Sequence, residues 1–136
     1  MKTLFAGLLL LLSFTAMADD CAKNVAALKN LVGNRGLSTD WMENSDKNPY
    51  HMVLKDNKDG LQVTLTEAKG LVARFSTIVC RKGDNYVANV KSVVWGEAAP
   101  SMVKNKSVSS LKIKIPYQSV MKVSVSIMTL EFNPTK

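Results

Sequence analysis

Hydrophobic and polar positions along this chain follow two different periods, and a short front segment follows neither. From Cys21 to Val32 the chain reads CAKNVAALKNLV. Val25, Leu28 and Val32 fall at helical spacing, Ala22, Ala26 and Leu31 widen the stripe, and Lys23, Asn24, Lys29 and Asn30 lie largely opposite. This pattern predicts one amphipathic helix of about three turns. Asp19 and Asp20 suit its N-terminus and Gly33 its stop. The next stretch, Leu37 to Pro49, has no strand period. Ser38-Thr39-Asp40 ahead of Glu43 has the form of a capping box, predicting one helical turn that carries Trp41 and Met42, or else a plain connection.

From Tyr50 onward the period is two. Tyr50, Met52 and Leu54 alternate with His51, Val53 and Lys55; Leu61, Val63 and Leu65 alternate with Gln62, Thr64 and Thr66. Strands are predicted over 50–55, 61–66, 71–81, 86–95, 107–115 and 121–132, with turns at 56–60, 67–70 and 81–85. Apolar residues on both faces of 71–81 predict a central strand covered on one side by the helix. Pro116 suits a strand end. In the last strand the apolar phase slips by one residue near Ile127-Met128, which predicts a bulge or a change of partner. Gly96 to Lys106 is the longest irregular connection. The fold class is α+β: an N-terminal helix packed on an antiparallel meander of about six strands, with a strongly curled or barrel-like sheet equally compatible.

The front of the chain changes where this domain is expected to work. Lys2, the apolar run Leu4–Ala16 and the small-x-small site Ala16-Met17-Ala18 form a secretory signal peptide, residues 1–18, cleaved after Ala18. The run is shorter than the ~20 residues a membrane span needs, and no transmembrane segment is expected. A lipid-bearing cysteine directly follows its cleavage site, whereas Asp19 and Asp20 precede Cys21. The remainder, 19–136, is one small domain in the periplasm or outside the cell. Cys21 and Cys80 are its cysteines, and an oxidising compartment predicts a disulfide between them. Closing a loop of ~60 residues stabilises by roughly 4 kcal/mol on the chain-entropy model.

Composition narrows the chemistry. His51 is the single histidine, and no GxSxG elbow accompanies it, so a hydrolase triad lacks its parts. The carboxylates fall mostly in caps, turns and loops, and only Glu131, between Leu130 and Phe132, has an apolar setting of the kind that tunes a catalytic group. Metal-ligand clusters and phosphate-cradling glycine loops are absent from the pattern. Asp56-Asn57-Lys58-Asp59-Gly60 is too short for a calcium loop and has a lysine in its middle. The expectation is no enzyme, no metal and no cofactor.

Charge supplies the positive expectation. The chain carries 18 Lys+Arg against 11 Asp+Glu, a formal net charge of +7. Lys104, Lys106, Lys112, Lys114 and Lys122 cluster without an intervening acid, the nearest being Glu97 and Glu131. Such a stripe suits an anionic polymer or lipid of the cell envelope, or an acidic protein. Arginine is confined to Arg35, Arg74 and Arg81, which makes nucleic acid a poor partner. Trp41 and Trp95, on irregular segments, are candidate apolar contacts. The favoured function is an exported, non-enzymatic binding or interaction protein. Its rivals are an inhibitor whose Gly96–Lys106 loop enters a secreted enzyme, a small envelope enzyme using carboxylates, and a carrier with a pocket between helix and curled sheet lined by Phe75, Met121 and Val123.

Overall fold

The computed structural model describes residues 20–104, 107–117, 120–125 and 128–135. The predicted signal peptide, residues 1–18, the predicted Asp19 cap and Lys106 lie outside them. Among the described residues the elements are β1 (Cys21–Ala22), α1 (Val25–Val32), β2 (Asp40–Glu43), β3 (His51–Asn57), β4 (Gly60–Glu67), β5 (Gly70–Lys82), β6 (Asn85–Trp95), β7 (Ser110–Tyr117), β8 (Val120–Val125) and β9 (Met128–Pro134). Every pairing is antiparallel. β2 through β9 are neighbours in chain order, β2 also pairs with β9, and the sheet closes into an eight-stranded barrel. The small α+β domain is therefore barrel-like, with β1 adding a two-residue extension along β5.

Local irregularities bend the sheet shut. β5 carries one extra residue, Val72, against β4, and β6 one extra residue, Lys91, against β5. The register of β7 on β8 also shifts between Lys114 and Tyr117, an interval holding Pro116. Each such bulge adds local bend and twist. Proline is tolerated there because it has no N–H to give the ladder. It thus sits within β7 rather than at its end.

About six strands becomes nine. β2 is read from sequence as a helical turn or connection because only one of its four residues, Trp41, is buried. Ser38 does not cap a helix there; its hydroxyl bonds the backbone of Asp40 instead. What makes β2 a strand is pairing on both edges, with β3 and β9. The phase slip near residue 127 is a reversal of chain direction: β8 ends at Val125, β9 begins at Met128, and these two pair.

The helix begins at Val25, later than its pattern suggests. Cys21 and Ala22 are drawn into strand pairing by the Cys21–Cys80 disulfide, where the two cysteines are direct cross-strand partners. Asn24 is the N-cap, its side chain accepting from the Ala27 N–H at 2.8 Å. Gly33 ends α1 in the left-handed conformation at φ 78°, which the Schellman closure requires. Asp20 is no cap; its carbonyl accepts from the Arg81 N–H. Nor does α1 lie on the flank of a sheet. It crosses one mouth of the barrel, with Asp56 accepting from the Val25 N–H at 2.7 Å and the Arg81 guanidinium donating to the Leu31 carbonyl.

Leu28 and Leu31 of α1 cover an interior filled by Trp41, Phe75, Phe132, Met52, Leu61 and Met121. A barrel of this strand number has a bore that side chains just fill. Thr77 is buried inside and satisfied, donating to the Leu61 carbonyl at 2.9 Å. The mouth beneath α1, lined by Leu28, Leu54, Val79, Leu111 and Ile113 among others, retains about 10 Å³ of free space, no more than one water would occupy.

Candidate functional site

The site is built by alternation and then by register. In β7, Leu111 and Ile113 are buried while Lys112 and Lys114 are exposed. In β8, Met121 and Val123 are buried while Lys122 is exposed. Strand geometry thus sends all three lysines to the outside of one sheet region.

Register decides which of them meet. A hairpin closed at Tyr117 and Val120 without a bulge would set Ile115 against Lys122, an inward residue against an outward one. A one-residue slip inverts the faces. The shift at Pro116 restores the match and places Lys114 directly opposite Lys122, with Lys112 opposite Ser124. On their other edges Lys112 faces Val87 and Lys122 faces Glu131. Like charges directly opposed across strands repel. Among the described residues none of these lysines forms an ion pair within 4 Å. Lys104 is exposed on the loop leading into β7. The structure thus brings Lys112, Lys114 and Lys122 together on one face, with one carboxylate, Glu131, at its border.

The described part of that loop, residues 96–104, is packed against the barrel. A Cβ on Gly96 would fall 1.9 Å from the Leu71 carbonyl oxygen, so glycine permits the close approach at which Gly96 and Ala98 donate to Val72 and Leu71. Val103 is buried, while Met102 beside it is 59% exposed. The tryptophans are interior plugs. Trp41 is fully buried and its indole N–H donates to the Ser38 carbonyl at 2.8 Å, so it presents nothing to a partner. Trp95 is half-buried and packs edge-on against Phe75 at 6.0 Å.

Sequence reasoning missed a polar cluster where β2 and β3 meet the end of β9. His51 Nε2 donates to Asp40 Oδ1 at 2.5 Å, and Thr135 Oγ1 donates to the same oxygen at 2.8 Å. The His51 and then the Thr135 hydrogen bond hold the Asp40 carboxyl below its ordinary value of 3.8. An Asp–His pair orients a base, but nucleophilic catalysis also needs a hydroxyl or thiol on the imidazole. Thr135 bonds the carboxylate instead, and the cluster reads as a tie between β2, β3 and the end of β9. Strand neighbours at residues 40, 51 and 135 carry no local signal of meeting.

Among the described residues, no group of three or more histidine, cysteine, aspartate or glutamate side chains could hold a metal ion. No described helix is long and apolar enough to cross a membrane. The disulfide is compatible with an oxidising compartment. Compared with protein-family models, with curated proteins and with solved structures, the chain gives no match.

Proposed function

We propose that this is an exported, non-enzymatic interaction protein that engages an anionic partner through the outer face of β7 and β8. The observation that carries the reading is the Lys114–Lys122 opposition with Lys112 two residues along β7 on the same face, all exposed and without an ion-paired carboxylate among the described residues. A fold gains nothing from two ammonium groups placed face to face, and an external anion between them turns repulsion into two attractions. Export rests on the signal-like first 18 residues and agrees with the disulfide.

The carrier reading needs a cavity of roughly 300 Å³ or more; the pocket beneath α1 leaves about 10 Å³. The inhibitor reading keeps one supporting feature, Met102, held out from a loop anchored by Val103. Retention on a phosphate-bearing matrix tests the main reading. Wild type is retained at low ionic strength and released as salt screens the contacts. Reversal of Lys112, Lys114 and Lys122 to Glu abolishes retention, and unchanged retention of that variant overturns the reading.

A further inference from the structure

Beside the lysine row lies an open groove of about 320 Å³ lined by Ser107, Val108, Ser109, Ser110 and Ser124. We propose that it is a saccharide subsite, so that the anionic ligand is a phosphorylated sugar unit with its phosphate on the lysines and its ring in the groove; this rests on the reading of the lysine face given above. The two features are joined by register, because Ser124 is the direct cross-strand partner of Lys112, and Ser110 precedes Lys112 by two positions on the same face.

The lining is chemically selective. Of the five described residues that line it, four are serines, whose hydroxyls both donate and accept and so match sugar hydroxyls of either polarity. Of these, Ser124 is engaged with Thr129 at 3.1 Å, within the same outer surface. Among the described residues the lining has no carboxylate to repel phosphate and no aromatic ring on which a nucleobase would stack. Val108, packed against the core, offers an apolar floor to the C–H face of a pyranose ring. The volume sits at the lower end of the roughly 300–1,000 Å³ typical of small-molecule sites. A free sugar phosphate and a phosphate-bridged envelope polysaccharide share this chemistry.

The test is an amide-shift titration of the full chain with inorganic phosphate, glucose, glucose 6-phosphate and a phosphodiester-linked hexose oligomer. Glucose 6-phosphate is expected to move the amides of Ser107, Ser109, Ser110 and Ser124 together with those of Lys112, Lys114 and Lys122. Inorganic phosphate is expected to move the lysine set alone. The exposed double variant Ser110→Ala/Ser124→Ala should weaken glucose 6-phosphate about tenfold, the equivalent of one or two net hydrogen bonds, and leave phosphate unchanged. Tighter binding of the oligomer than of the monomer identifies a polymer as the source, and equal binding a free sugar phosphate; either supports the subsite. Binding of glucose 6-phosphate no tighter than phosphate, or an unaltered double variant, overturns the subsite while the lysine face stands. Absence of any shift at the lysines with all four probes overturns both.

Discussion

Two outer faces of one barrel treat charge in opposite ways. Where β2 and β3 meet the end of β9, Asp40 is bonded by His51 and Thr135, so the carboxylate is satisfied within the fold. On β7 and β8, Lys114 opposes Lys122 and neither finds an ion-pair partner among the described residues. Both faces stand on the same apolar interior. The difference teaches that polar groups on a sheet exterior are not alike: the first face spends its charge on holding three chain segments together, and the second keeps its charge available. Among the described residues no lysine is ion-paired, so what sets the β7–β8 face apart is that two of its lysines stand directly opposite each other.

The largest effect available separates either face from the core beneath. Met121→Ala removes a buried side chain and should cost about 2–5 kcal/mol in chemical denaturation. Lys122→Ala, one residue along the same strand, should stay within about 0.5 kcal/mol of wild type. Similar losses from both would mean that the lysine face is structural, and the contrast with the Asp40 face would disappear.

Next in size is the self-satisfied face. Asp40→Asn removes the charge that His51 and Thr135 hold, and should cost at most about 1 kcal/mol near neutral pH, because the group is half exposed and solvent screens it. The carboxyl of Asp40 is depressed in the folded chain. Its stabilisation is therefore complete above the unfolded value of 3.8 and is lost as pH falls through the lower folded value. Thermal melts from pH 6 down to pH 2 should show a steeper loss for wild type than for Asp40→Asn. Parallel curves would remove Asp40 from the account.

The smallest effect sharpens the comparison most. Lys114→Glu converts a like-charge opposition into an opposite-charge pair with Lys122. It should leave stability unchanged or raise it by about 0.2–1 kcal/mol, while retention on a phosphate-bearing matrix falls. Stability and binding moving in opposite directions is the signature of charge kept for a partner. A destabilised Lys114→Glu would place Lys114 among the residues the fold needs.

Much of this was legible in the residues before the fold was known. The hairpin turns after Asn57, Glu67 and Lys82, the α1 stripe and the Cys21–Cys80 link all follow from local pattern or from cysteine arithmetic. Barrel closure did not, because β2 exists through pairing with two distant strands rather than through its own period. Trp41 looked like a loop residue for the same reason. The outward direction of the three lysines followed from alternation alone. Their face-to-face register did not, since it depends on one extra residue at Pro116, and a slip of one inverts a strand. The Asp40–His51–Thr135 cluster joins positions too far apart in sequence for any local pattern to reveal.

The most direct measurement sets place against total charge. Lys112, Lys114 and Lys122 are changed together to Gln, and in a second variant the exposed Lys47, Lys55 and Lys69, from the β2–β5 half of the barrel, are changed likewise. Both variants lose the same charge. Salt-gradient retention on a phosphate-bearing matrix is then compared with wild type. The account predicts that the first variant elutes without retention and the second close to wild type. Equal losses from the two would show that net charge, not the β7–β8 face, does the holding, and would contradict it.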